Sequence, residues 1–196
     1  ADLAIDFGRK TKNLVDEPRY RELFSTRLQE DSQAAGKWKT EQGGEYFAAG
    51  VGGAITGRGA DLLIIDDPHK EQDIKKDSKS FDKAWNWYTS GPRQRLQPDG
   101  KIVCVMTRWS TKDLTGQMIK AQGEEGSDEW EVIRLPAILP SNTPVWPEYW
   151  KLEELEKTKA SIPVTNWNAQ YQQEPTAEEG AIIKRDWWRN WEHKDP

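Results

Sequence analysis

Two short clusters and one arginine have the residue types and spacing to handle a phosphate and a metal ion. Asp66 and Asp67 follow four consecutive aliphatic residues, Leu62 to Ile65, in the stretch DLLIIDDPHK (61–70). Thr107, Arg108 and Ser110 follow a second apolar run, Ile102 to Met106, in KIVCVMTRWSTKDL (101–114). Arg58 stands between Gly57 and Gly59, just ahead of the first run. An uninterrupted aliphatic run bounded by glycine and proline suits a strand buried on both faces of a parallel sheet. A carboxylate at its end then emerges at the sheet's carboxyl edge, where open α/β folds bind ligands and where an acid can hold magnesium beside nucleotide phosphates. The same residues also fit a core strand that stops at a polar turn. For the second run the plain alternative is a strand leading into a helix, with Ser110 or Thr111 as the N-cap of KDLTGQMIK.

The flanking elements must position these groups. Upstream, GVGGAITGRGAD (50–61) is dense in glycine, which means tight turns or close backbone approach. A phosphate-cradling P-loop needs GxxxxGK followed by Ser or Thr, and that pattern occurs nowhere in the chain. Lys37 does follow a glycine, but Trp38 stands where the hydroxyl is required. The stretch therefore reads first as a β-hairpin feeding the aliphatic strand, with a phosphate cradle as the lesser alternative. The flanking glycines predict an Arg58 guanidinium free to project. Earlier, Asp16, Glu17 and Pro18 make a helix start leading into RYRELF, residues 31–44 read as loop, and Tyr46 and Phe47 favour a strand.

Downstream, Phe81, Trp85 and Tyr88 line one face of a helix predicted within 75–96, interrupted by Gly91 and Pro92. Gln94 to Gly100 reads as a turn into the second strand, and Trp130 to Leu135 as a further strand. LPAILPSNTPVWPE (135–148) has four prolines and no periodicity, so an extended connection is expected. Two helices then follow, over 151–159 and 165–173. His69 and His193 are too isolated for zinc-ligand spacing.

Composition sets bounds. At 196 residues the chain is long enough for a substantial core. Its hydrophobic fraction is only 35% and its mean hydropathy −0.91, so much of the apolar area must come from the eleven tryptophans. A net charge of −5 gives no global footprint for nucleic acid, and any such contact must be local. The single cysteine, Cys104, sits in the second apolar run as a small hydrophobe and permits no internal disulfide. There is neither a signal peptide nor an apolar run near the ~20 residues a bilayer requires. The chain has no initiator methionine and opens as if within an element, which predicts numbering that starts inside a longer protein.

Taken together, the Gly-rich stretch and DLLIIDD, KIVCVMTRWS, LPAI (135–138), VWPE (145–148) and AQYQQEP (169–175) resemble, in order and spacing, the large subunit of tailed-phage terminases. The resemblance implies an α/β fold: part of a P-loop NTPase (RecA-like) parallel sheet with flanking helices, followed by a small helical linker. It divides the chain into the C-terminal part of an ATPase domain (1–138), a linker (139–180) and the start of a nuclease domain (181–196), whose catalytic acids lie beyond this sequence. It implies ATP and Mg2+ as cofactors, with Asp66 orienting the metal and Asp67 standing where relatives carry a water-aligning glutamate. Aspartate is one methylene shorter, which puts that role in question here. Arg58 matches an arginine finger, Thr107 a γ-phosphate sensor, and Arg108 or Ser110 its relay. Implied partners are double-stranded DNA, the portal protein, the small terminase subunit and further copies of the chain in a ring. The implied place of action is the host cytoplasm, with no membrane role. Two other readings are a helicase-like P-loop ATPase from outside viruses and a non-catalytic phage-assembly module or prophage remnant. The first leaves VMTRWS, LPAI and AQYQQEP unexplained together.

Overall fold

The computed structural model describes residues 2–71 and 79–176. It is a mixed α/β structure that divides into two compact units, Ala1–Pro68 with Lys83–Cys104 and His69–Asp82 with Val105–Pro196. The segment 181–196, read from sequence as the entry to a nuclease domain, lies outside the described residues, as does 72–78.

In the first unit, helix α1 (Asp2–Asp16) and the short helix α2 (Pro18–Leu23) precede a three-stranded antiparallel meander: β1 (Leu28–Ala34), β2 (Lys37–Thr40) and β3 (Glu45–Phe47). Glu17 occupies the N-cap position of α2 with proline in its first turn, as the sequence predicted. The meander corrects the loop expected over 31–44. Its stability comes from one side chain the polar composition hides: Trp38, 7% exposed, forms a core with Val15 and Leu28, against which Tyr20 and Tyr46 pack. Trp38 stacks on Tyr46 at 5.4 Å between centroids, and its indole N–H donates to the Gly8 carbonyl of α1 at 3.0 Å. The predicted hairpin therefore lies earlier in the chain, and residues 48–59 form turns without a strand.

Tyr46 adds a titratable group to this core. Its hydroxyl donates to the Ala4 carbonyl at 2.7 Å, and burial pushes its phenol above the ordinary range. A raised folded pKa for an acid means that the neutral form is the one the fold prefers. Its stabilising contribution is complete below the unfolded value of about 10 and is lost as pH rises through the folded value. Urea unfolding followed between about pH 8 and 11.5 should show alkaline destabilisation that is smaller in Tyr46→Phe than in the parent. Equal slopes would remove Tyr46 as its source.

Strand β4 (Ala60–Asp66) pairs in parallel with β5 (Leu96–Val105), as a two-stranded sheet. The second strand begins at Leu96, so the turn expected over 94–100 is largely strand, with a left-handed residue, Asp99, inside it. The aliphatic run in β4 is not buried on both faces. Ile65 is 4% exposed, while Leu62 and Ile64 are 56% and 61% exposed, and Val103 and Val105 of β5 are also exposed. Successive strand side chains alternate between faces, and the described residues cover only one face. Helix α3 (Ser80–Ser90) buries Ala84 and Tyr88, with Trp85 against Tyr88, which is the stripe read from sequence. It ends where Gly91 and Pro92 lead into a 3-10 turn, Pro92–Arg95.

The second unit contains α4 (Leu114–Ala121), α5 (Leu152–Ser161) and α6 (Val164–Asn166), the last running into a π-helical turn, Trp167–Tyr171. Trp167, Leu155 and Ile138 form a buried core in this unit, with Tyr171 stacked on Trp167. The Gln172 side-chain amide bonds both the N–H and the carbonyl of Ile138, at 3.1 Å each. The LPAI and AQYQQEP stretches thus meet. Trp130 to Leu135, expected from sequence as a strand, forms none. Over 135–148 the connection folds back on itself through an isolated bridge between Ile138 and Pro144.

Candidate functional site

Strand β4 ends on Asp66, whose carboxylate is exposed. The chain turns sharply at Asp67, at φ 39°, a left-handed conformation that aspartate tolerates better than most residues. Because β4 and β5 are parallel neighbours, their carboxyl ends face the same way, and the paired acids occupy the end of one of them. That much of the sequence-derived geometry is present.

Arg58 is not free to project. It forms an ion pair with Glu45, and its guanidinium lies over the Phe47 ring at 3.9 Å. The flanking backbone explains the placement: Gly57 takes φ 76°, and Gly59 is so close to the Gln97 side chain that a Cβ there would overlap it. The turn thus delivers Arg58 onto β3, where sequence placed Phe47 in a strand but gave neither it nor Glu45 a part in holding Arg58.

In the second unit, Thr107, Arg108 and Ser110 follow β5 in a loop organised by a residue the sequence reading passed over. Asp113 is fully buried and is the N-cap of α4, accepting from the Gly116 N–H at 2.8 Å. The same carboxylate accepts from Trp109 N–H at 2.9 Å, from Ser110 N–H at 3.2 Å, and from Arg108 Nε at 2.9 and 3.1 Å to its two oxygens. Neither Ser110 nor Thr111 is the cap. The Ser110 hydroxyl accepts from the Lys112 N–H at 3.1 Å, and Arg108 also donates to the Ser110 carbonyl at 3.2 Å. Arg108, with its side chain 11% exposed, is thus a brace for this loop as well as a candidate relay. The signal for Asp113 was available: an aspartate directly before LTGQMI outranks threonine as a cap.

His69 also has a place. It is buried, its ring lies edge-on to Phe81, and its Nε2 accepts from the Leu114 N–H at 2.9 Å. A backbone N–H can only donate, so this geometry requires the tautomer protonated at Nδ1. His69 therefore satisfies one of the orphan donors at the start of α4.

Among the described residues, no group of three or more His, Cys, Asp or Glu side chains converges on a metal position. Magnesium at nucleotide sites is held by one or two carboxylates with phosphates and waters, and the exposed Asp66 suits that kind of shell better than a dedicated cage. An open cleft of about 470 Å3 lies in the second unit, lined in part by Lys159, Trp167, Asn168 and Glu174. None of the six sequence-predicted residues lines it. No described helix is long and apolar enough to cross a membrane.

Neither a protein-family model nor a curated protein sequence matches the chain.

Proposed function

We propose that this chain is the later part of a nucleotide-driven DNA-packaging motor of the terminase large-subunit kind. The observation that carries the reading is the parallel pair β4–β5, the first strand of which ends in Asp66 and Asp67. In this reading Asp66 would orient Mg2+ bound to ATP, and Asp67 would align the attacking water. Thr107 would sense the γ-phosphate, Arg108 or Ser110 would relay its state, and Arg58 would serve a neighbouring copy after leaving Glu45. Phosphoryl transfer passes through a loose transition state, so such residues act by positioning and charge stabilisation. The phosphate-cradling loop is absent from this sequence and would lie upstream. Double-stranded DNA, a portal ring, a small-subunit partner and further copies of the chain would be its partners, and the host cytoplasm its place of action.

The test is magnesium-dependent ATP hydrolysis, with and without double-stranded DNA, by the protein extended upstream to include a P-loop. Asp66→Ala should lower turnover by on the order of a hundredfold or more, the scale expected when a charge-stabilising group is removed. A folded Asp66→Ala protein that hydrolyses ATP at the parent rate would sink the reading. An extended parent that folds and never hydrolyses ATP would shift the case to a non-catalytic assembly module.

A further inference from the structure

The turn Val145–Trp150 in the second unit carries three aromatic rings that the fold leaves largely uncovered. Trp146, Tyr149 and Trp150 are 57%, 64% and 42% exposed. They are held in a fixed arrangement. The Tyr149 and Trp150 N–H groups both donate to the Trp146 carbonyl, at 3.1 and 2.9 Å. Trp146 and Tyr149 stack at 4.9 Å with 24° between planes, while Trp150 stands at 83° to Tyr149. The result is an exposed aromatic corner that belongs to neither buried cluster.

The charged residues of this turn and of α5 are mixed, four glutamates to three lysines. Glu148 lies within the turn, and Glu153, Glu154 and Glu156 follow in the first turns of α5, against Lys151. Lys151 is occupied, its ammonium donating to the Pro147 carbonyl at 3.1 Å. Glu153 and Glu156 are paired to Lys157 and Lys159, and Glu154 accepts from the Lys151 N–H. Among the described residues Glu148 alone of these carboxylates has no ionic or hydrogen-bonding partner.

We propose that this corner is a docking surface for an arginine-bearing segment of a partner protein. A guanidinium is planar and weakly hydrated. It stacks on an indole or phenol face by cation–π attraction and presents its N–H fork to a carboxylate. Stacked rings beside an unpaired Glu148 offer both halves of that recognition. The carboxylate left without a partner in the turn is Glu148, and it favours a cationic group over a phosphate as the occupant. Elsewhere the chain makes the same contact internally, with Arg58 lying over Phe47 and paired to Glu45. The inference is independent of the motor reading.

The experiment uses the chain as it is and measures fluorescence anisotropy of a labelled peptide alternating glycine and arginine. A twin peptide carrying citrulline, a neutral shape-mimic, is the control. Binding of the arginine peptide at least tenfold tighter than the citrulline twin is expected. Trp146→Ser and Tyr149→Ala should each weaken it about tenfold, the scale of ~1–2 kcal/mol for a partly desolvated cation–π contact. Glu148→Gln, at an exposed carboxylate that holds nothing in the fold, should weaken it severalfold. Asp99→Asn, which removes an exposed carboxylate from the other unit, should leave it unchanged. The proposal is overturned by equal binding of both peptides. It is also overturned if Glu148→Gln does no more than Asp99→Asn, as general charge attraction would give. Sedimentation showing a dimer that Trp146→Ser dissolves, with no arginine-peptide binding, would make a second copy the occupant and end the proposal as well.

Discussion

Replacing Asp113 by alanine is expected to lower the stability of the second unit by about 3–5 kcal/mol, the cost of removing one partner from a buried ion pair. The size follows from what the carboxylate holds. Its two oxygens accept from Arg108 Nε and from the N–H groups of Trp109, Ser110 and Gly116. Alanine leaves the Arg108 charge only 11% exposed and without its carboxylate, and it strands backbone donors that water reaches poorly. Loss of the cap alone is worth about 1 kcal/mol, so the stranded charge dominates. Asp113→Asn keeps one acceptor oxygen and should fall between parent and alanine. Domains are commonly stable by only ~5–15 kcal/mol, so Asp113→Ala should shift the urea midpoint strongly or leave 105–122 open to hydrogen exchange. A loss below about 1 kcal/mol, the scale of a single cap, would show that the arginine does not depend on this pair.

Asp113 also shows where the chemistry of the chain could be read from its residues and where it could not. The acids after Leu62–Ile65 and the polar residues after Ile102–Met106 were legible, because a strand of aliphatic residues ends where its apolar run ends. The helix stripe through Tyr88 followed from helical spacing, while the parallel pairing agrees with the reading of the two runs although the two-faced burial it was argued from is not present. What local pattern could not supply was the partner of each polar group. Ser110 and Thr111 looked like caps because hydroxyls precede a helix, yet the buried position fell to the carboxylate that could also neutralise Arg108. Arg58 looked free between two glycines, yet Glu45, thirteen residues earlier in the chain, lies on a strand that brings a carboxylate to it. These are tertiary choices made by burial and charge, and neighbouring residues do not encode them.

The meander was missed for a related reason. DSQAAGKWKTEQGG is polar by composition, and only Trp38 carries the apolar area that makes it a sheet. Trp38 with Leu28 at the start of β1 suffices on the inner face, because the rest of these antiparallel strands is largely solvated and needs alternation on one face only. Both apolar runs led to the opposite error. Continuous aliphatic residues were read as two buried faces, and Leu62, Ile64, Val103 and Val105 leave one face of β4–β5 uncovered.

The same packing around Trp38 makes Gly8→Ala the second large effect, with two opposing contributions. In the interior of α1, alanine is favoured over glycine by about 1 kcal/mol. Against this, a Cβ at position 8 would lie 2.3 Å from Tyr46 Cε1 and 2.6 Å from the Ala35 carbonyl oxygen. Neither neighbour can yield cheaply. The Tyr46 ring is clamped between its stack on Trp38 and its hydrogen bond to Ala4, and the Ala35 oxygen is backbone in the turn between β1 and β2. The helix must therefore lift off the meander. That movement carries an overpacking cost of about 1–3 kcal/mol and weakens the Trp38–Gly8 and Tyr46–Ala4 hydrogen bonds, worth about 1 kcal/mol each. The clash wins, and Gly8→Ala should lose about 2 kcal/mol or more in urea unfolding, net of the helix gain. Gly36→Ala is the matched comparison, because its Cβ would meet the flexible Ile5 side chain at 3.1 Å and the Ala48 Cβ at an ordinary contact distance of 3.8 Å. It should cost less than about 1 kcal/mol, as small surface-side changes do. If Gly8→Ala proved neutral or stabilising while Gly36→Ala did not, α1 would not be seated on β1–β3 through this contact, and the Trp38 core would have to be held by the strands alone.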